Sequence, residues 1–202
     1  PAVANGYIYI GSYDNKVYQL NATDIAQKIA EFTTGGDVYS SPAVANGYVY
    51  VGSNDGKVYQ LNALNVSQKI AEFTIGSFVY SSPAIVNGFV YVGGYNGLVY
   101  QLNATNISQM TAEFTTWGTL YSSPAVANGY VYIGSNRNRV YQLNATNISF
   151  YNPDVFEPLL TIVSPLNQTY AVNIIDFNVS ADENLSYCKF SLDNWATNYT
   201  MS

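Results

Sequence analysis

From Ser40 to Ala63 the chain reads SSPAVANGYVYVGSNDGKVYQLNA. Asn46-Gly47 sits between two apolar, β-rich runs, and a two-residue hairpin needs φ > 0 at both central positions, which Asn and Gly adopt at least cost. The turn predicts a strand from Tyr48 to Gly52. Before it, Val38 to Val44 reads as an innermost strand, as does its equivalent one copy later, Val79-Tyr80-Ser81-Ser82 with the Pro-Ala-Ile-Val that follows. Asn54-Asp55-Gly56 makes a second tight turn into a third strand, Lys57 to Ala63, and Gln68 to Phe73 supplies a fourth. The product is one four-stranded antiparallel sheet.

That sheet recurs. PAVANGYIYIGS begins at Pro1, PAVANGYVYVGS at Pro42, PAIVNGFVYVGG at Pro83 and PAVANGYVYIGS at Pro124, a spacing of 41 residues without slippage. A single sheet of this kind exposes two apolar faces and must stack on neighbours. Four-stranded units of about 40 residues are the blades of β-propellers, whereas solenoid repeats are usually shorter and parallel-stranded. The expected fold is therefore all-β, a partial ring of propeller blades over residues 1–149. The first blade is expected to lack its inner half and the last its outer strand.

The string from Ser40 to Ala63 resembles the repeat of pyrroloquinoline-quinone-type (PQQ-like) propellers, found in quinoprotein alcohol dehydrogenases, in the lipoprotein of the outer-membrane barrel-assembly machinery and in many surface proteins. The resemblance implies an Asp after the Leu of the third strand and a Trp that docks each blade on the next. Here Asn21, Asn62, Asn103 and Asn144 stand at the Asp position and Ala30, Ala71 and Ala112 at the Trp position. Phe32, Phe73 and Phe114 are expected to fill part of the space between blades. A quinone dehydrogenase of this fold would also bring a Ca²⁺ site, a catalytic Asp and a vicinal disulfide. The repeats contain no Cys and only scattered carboxylates, so neither metal, cofactor nor catalytic residue is assigned.

Composition narrows the function classes. Charged residues make up 10% of the chain, against roughly a quarter in an ordinary soluble domain, and the net charge is −6. With no basic cluster there is no surface for nucleic acid or for anionic lipid. The absence of His removes the commonest general base and metal ligand. Nothing therefore activates Ser40-Ser41, Ser81-Ser82 or Ser122-Ser123 as nucleophiles. No apolar run reaches the ~18 residues of a membrane span.

In such a blade the first and third connections emerge on one side of the disc and the second and fourth on the other. The third connection carries Asn-X-Ser/Thr triplets at Asn21, Asn65, Asn103, Asn106, Asn144 and Asn147, glycosylation candidates on one side. On the other side the loops differ between copies. They offer Tyr13, Asp14, Asp37, Asn54, Asp55, Phe78, Tyr95, Asn96, Trp117 and Arg137 as candidates for a binding face, with Phe78 and Trp117 as apolar anchors. Asp14 and Asp55 also read as ordinary turn residues.

After Asn147 the repeat stops. Residues 150–158 read as a linker, and Leu159 to Pro165, Ile174 to Val179 and Leu185 to Leu192 as strands of a second domain, 159–202. TIVSPLNQTY and SYCKFSLD resemble the start of immunoglobulin-like modules of microbial surface proteins, although ~45 residues are too few for a sandwich of ~100. Further triplets lie at Asn167, Asn178, Asn184 and Asn198, and Cys188 is half of a possible disulfide. The expectation is a non-catalytic extracellular or cell-surface scaffold that binds a protein or glycan. A quinone-dependent dehydrogenase, or its degenerate relative, and a ligand-sensing ectodomain of a signalling protein are the alternatives.

Overall fold

The 41-residue period sets a succession of antiparallel sheets in a computed structural model that describes residues 1–149 and, beyond them, the strands at 161–164, 178–180, 188–190 and 199–201. In the first sheet β1 (Ala2–Ala4), β2 (Tyr7–Gly11), β3 (Lys16–Asn21) and β4 (Lys28–Thr33) lie in sequence order. The second contains β5 (Ala43–Ala45), β6 (Tyr48–Gly52), β7 (Lys57–Asn62) and β8 (Asn65–Thr74). The third contains β9 (Ala84–Val86), β10 (Phe89–Gly93), β11 (Leu98–Asn103) and β12 (Met110–Thr115). The fourth has three described strands, β13 (Ala125–Ala127), β14 (Tyr130–Ser135) and β15 (Arg139–Asn144). These sheets are blades 1 to 4 below. The first blade thus has all four strands, contrary to the expectation of a missing inner half, because Ala2, Val3 and Ala4 suffice to pair with Tyr9, Ile8 and Tyr7.

The Asn-Gly turns have positive φ at both residues, 50° at Asn46 and 80° at Gly47, as a type I′ hairpin requires. The innermost strands are shorter than the sequence predicts, three residues each. Pro42 and Pro83 have no N–H to give a ladder, so pairing stops at them. A side chain takes over: the Gly52 N–H donates to Ser40 Oγ at 3.1 Å and the Gly93 N–H to Ser81 Oγ at 3.1 Å. The preceding Val38 and Val79 instead reach back to the earlier blade, where the Val38 N–H donates to the Ser12 carbonyl and the Val79 N–H to that of Ser53. Val79 lies so close to β6 that a Cβ on Gly52 would collide with its Cγ1. Glycine at that position is a requirement of close approach.

The core lies between blades rather than within one. Tyr9, Val17, Val38, Val49, Val51, Tyr59, Leu61, Ala63 and Val66 form the cluster joining blades 1 and 2, and equivalent clusters join 2 to 3 and 3 to 4. The expected phenylalanines take part. Phe32 meets Tyr59 edge-on at 5.2 Å, Phe73 meets Tyr100 at 5.5 Å and Phe114 meets Tyr141 at 5.6 Å, each from one blade to the next.

A second device, not foreseen in the sequence, replaces the missing Trp. The Gln19 amide donates to the carbonyls of Ala63 (3.1 Å) and Leu64 (3.3 Å) of the next blade and accepts from the Val66 N–H (3.1 Å). Gln60 does the same to Ala104, Thr105 and Ile107, and Gln101 to Thr146 and Ile148. Tyr9 and Tyr50 add hydroxyl bonds to the Ala63 and Ala104 carbonyls at 2.5 and 2.6 Å, and Tyr91 one to Ala145. A β-bulge follows each of these glutamines, between Gln19 and Leu20, Gln60 and Leu61, and Gln101 and Leu102. Bulges re-aim side chains and strengthen local twist, which sets the Gln for its neighbour.

The chain divides into two units, Pro1–Asp154 and Val155–Ser202. In the second, β16 (Thr161–Ser164) pairs with β17 (Asn178–Ser180) and β18 (Cys188–Phe190) with β19 (Tyr199–Met201). Asn167, Asn184 and Asn198, like the side chains of Asn178 and Cys188, lie outside the described residues.

Candidate functional site

The loops after the second and fourth strands of each blade emerge together, and on that side six aromatic rings form one strip. Tyr13 and Tyr39 lie 4.4 Å apart, Tyr39 and Tyr80 5.3 Å, and Tyr80 and Tyr121 5.5 Å. Tyr95 contacts Tyr80 at 5.8 Å, Tyr121 at 5.4 Å and Phe78 at 6.0 Å. The spine, Tyr39, Tyr80 and Tyr121, is one repeat position, each following a Val or Leu, of which Val38 and Val79 hook to the previous blade. Alternation turns that Val or Leu into the core, with Val38, Val79 and Leu120 buried, and leaves the Tyr outward.

Ring packing supplies much of the strip's own stability, since edge-to-face pairs are worth about 0.5–1.5 kcal/mol beyond their area. Tyr13 remains 68% exposed and Tyr121 55%, so the strip is a surface rather than a core. Burial, followed by the neighbouring Tyr13, pushes the Tyr39 phenol up. A hydrogen bond with Tyr95 does the same for Tyr121. Both are neutral phenols across the physiological range.

Beside the spine a cleft of about 300 Å³ lies between blades 2 and 3, lined by Asn54, Asp55, Ser77, Phe78 and Tyr95 among others. Its wall carries an orphan: Asn54 Oδ1 is shielded from solvent and has no donor among the described residues. Four expected face residues, Asn54, Asp55, Phe78 and Tyr95, thus meet in one place, and Tyr13 joins the strip.

Other candidates serve the turns. Asp14 accepts from the Tyr18 hydroxyl at 2.5 Å, which holds its carboxyl below the usual carboxylate range. Asp55 accepts from the Tyr59 hydroxyl, from the Lys57 N–H at 3.1 Å and from the Gly35 N–H of blade 1 at 2.8 Å. Asn96 donates to the Tyr100 hydroxyl at 2.8 Å and accepts from the Leu98 N–H. These three occupy one repeat position and hold the turn there, although Asp55 Oδ1, with the Lys57 N–H alone, keeps a lone pair. Asp37 contributes its backbone carbonyl to the Asn54 N–H. Trp117, at 76%, is the most exposed large apolar side chain among the described residues, and Arg137 is exposed nearby.

On the opposite side the Asn-X-Ser/Thr triplets have a local purpose. Asn21 Oδ1 accepts from both the Thr23 N–H and hydroxyl, and the same Asx turn recurs at Asn65, Asn103, Asn106 and Asn144, with the N–H bond alone at Asn147. These turns shape the loop that each Gln clasps. The Nδ2 groups of Asn21 and Asn103 are committed to Gln27 and Gln109, whereas those of Asn65 and Asn106 have no partner among the described residues.

No group of three or more His, Cys, Asp or Glu that could hold a metal occurs among the described residues, and no helix there is long and apolar enough to cross a membrane. Comparison with curated proteins gives no match. Among solved structures the chain is similar to BamB from Moraxella catarrhalis, at 15% identity and TM-score 0.61, over 70% of this chain and 47% of that one. The computationally designed Ika8 protein is similar at 14% identity and TM-score 0.61, over 69% of this chain and 43% of its own. The computationally designed Ika4 protein follows at 13% and 0.62, over 70% and 87%. At such identities the likeness is one of fold, and the chain spans about half the length of the BamB structure. Residues 1–69 and 70–150 both match the family model described as outer membrane protein assembly factor BamB, so the chain belongs to this family of PQQ-like β-propeller repeat proteins.

Proposed function

We propose that the protein is a non-catalytic scaffold, extracellular or on the cell surface, that holds a protein or glycan partner on the side bearing the aromatic strip. The observation that carries this reading is the strip itself, six linked rings on loops, of which Tyr13, Tyr39, Phe78 and Tyr121 are each 45% or more exposed. Aromatic groups anchored on a rigid sheet supply contact area at low conformational cost. The family's description as an assembly factor is in line with a binding role. A catalytic reading lacks parts. Asp14 and Asp55 are spent on turns, and Ser40 and Ser81 accept backbone N–H bonds.

The immunoglobulin-like reading of residues 159–202 belongs to the same proposal, as modules of this kind commonly space a binding domain from a surface. Sugars on Asn65 and Asn106 would leave the Asx turns intact, because Nδ2 is the atom modified and Oδ1 the one that accepts. The test is quantitative retention of cell-envelope components on the immobilised protein. Trp117→Ala and Tyr121→Ala should each lose a retained partner that Asn103→Gln keeps. Equal loss from all three would reject the strip-bearing side as the binding face.

A further inference from the structure

The strip and its cleft have a chemistry that selects among partners, provided the reading of this side as the binding face holds. A sugar-binding platform needs flat, uncovered ring faces on which a pyranose can lie. Here all but one of the ring pairs in the strip meet at interplanar angles between 43° and 74° or at 89°, so edges cover faces; Tyr80 and Tyr121 alone stack, at 22°. What this leaves open is a furrowed surface of ring edges against which the side chains of a partner can pack. Successive centroid separations of 4.4, 5.3 and 5.5 Å from Tyr13 to Tyr121 give a contour of about 15 Å. That matches roughly four or five residues of extended chain.

Charge sets the sign of the occupant. Asp14, Asp37 and Asp55 lie in the loops of this side on blades 1 and 2. The lysines that begin the third strands there are paired, Lys16 with Glu31 at 2.5 Å and Lys57 with Glu72 at 2.7 Å. Arg137 and Arg139 belong to blade 4, beyond the cleft. Within the cleft the charged group is the Asp55 carboxylate, whose Oδ1 accepts only the Lys57 N–H and keeps a lone pair, whereas Asn54 Oδ1 is closed off from solvent. Phe78 and Tyr95 add ring faces, and a cation near an aromatic face is attracted while its N–H donors seek such acceptors. An arginine or lysine head fits a space of about 300 Å³ with room for its methylene stem.

We infer that this surface takes an extended, basic segment of a partner protein. A cationic side chain is seated in the cleft against Phe78 and Tyr95, beside Asp55, while the flanking residues lie along Tyr80, Tyr39 and Tyr121.

The experiment uses a fluorescein-labelled decapeptide of alternating Pro and Arg, its Pro-Glu and Pro-Ser counterparts, and chitohexaose, with binding read by anisotropy or calorimetry at low and physiological salt. The Pro-Arg peptide should bind at least thirtyfold more tightly than Pro-Glu. Phe78→Leu, which keeps apolar bulk and net charge but removes the ring, should weaken it at least threefold, and Tyr121→Ala likewise. Pro-Arg binding that is indifferent to Phe78→Leu and Tyr121→Ala is mere attraction of a polycation to an acidic protein and overturns the inference. So does a failure of Pro-Arg to bind. Chitohexaose bound in its place, and lost in Tyr121→Ala, overturns the basic segment yet keeps this side as the binding face.

Discussion

Replacing Gln60 by Leu removes one clasp between blades 2 and 3 and nothing else of similar size. Gln60 is fully buried; its amide donates to the Ala104 carbonyl at 3.1 Å and the Thr105 carbonyl at 3.4 Å, and its Oε1 accepts the Ile107 N–H at 3.2 Å. In the variant the Ala104 carbonyl keeps the Tyr50 hydroxyl at 2.6 Å, and the exposed Thr105 turns to water. The Ile107 N–H, beside a fully buried Ile, is left without an acceptor. An orphaned buried group costs about 1–3 kcal/mol, and the lost net worth of the other bonds adds about 1, so a loss of roughly 2–4 kcal/mol is expected. Gln142 is the internal control. It occupies the same repeat position in blade 4 but is only half-buried and bonds the Tyr132 hydroxyl of its own blade at 3.2 Å, so Gln142→Leu should cost under about 1 kcal/mol. Urea unfolding followed by near-ultraviolet circular dichroism measures both, with an unchanged m-value as the sign that stability alone has moved. Equal losses within about 0.5 kcal/mol would refute the clasp, since its whole energetic case rests on burial against a following blade.

Two further outcomes test the packing between blades. Gly52→Ala drives a Cβ into Val79 and should cost about 1–3 kcal/mol by overpacking, whereas Gly134→Ala meets nothing nearer than Ser122 Oγ at 3.5 Å and should be near neutral; paired chemical denaturation checks the contrast. Burial pushes the Tyr50 and Tyr91 phenols up to about 12, so the folded state holds protons that the unfolded chain releases near pH 10. Stability is full below pH 10 and should fall by about 2–3 kcal/mol per tyrosine as pH rises to 12, a loss that Tyr50→Phe shrinks in an alkaline denaturation series.

The blade was legible because its turns are written in residues with few alternatives. Asn46-Gly47 demands one backbone geometry, and Gly56 and Gly97, at the same repeat position as Asn15 and Asn138, all take positive φ. The inner strand was over-read because Val38 and Val44 are equally β-prone, and only Pro42 between them ends the ladder. The clasp escaped because Gln19, Gln60 and Gln101 sit in runs that satisfy a strand pattern on their own. Their inward amides show only when a loop 44 residues on is placed beside them. Of the face, Phe78, Tyr95, Asn54 and Tyr13 were visible as loop variation. The spine Tyr39, Tyr80 and Tyr121 was not, since a Tyr repeating every 41 residues reads as blade packing and its outward turn depends on the buried Val38, Val79 and Leu120.

Why the two sides of the blades differ so much in sequence follows from how each docks. On the clasp side a side chain bonds a backbone, so the Gln must stay Gln and the receiving loop must keep the Asx turns that present Ala104, Thr105 and Ile107 to it. That leaves little freedom, and the copies there are nearly alike. On the strip side the blades are joined backbone to backbone: the Asn54 N–H donates to the Asp37 carbonyl at 2.9 Å, Tyr95 to Phe78 at 2.9 Å and Asn136 to Thr119 at 3.1 Å. The bond is the same in all three, while the donor is Asn, Tyr or Asn and the acceptor Asp, Phe or Thr. That one backbone bond tolerates any side chain at its two ends, even though the neighbouring Asp55 carboxylate and Ser53 hydroxyl also bond blade 1, so these positions leave a choice of residue. On this chain the choice has placed Phe78 and Tyr95, the two aromatic members of that set, together in the cleft beside Asn54.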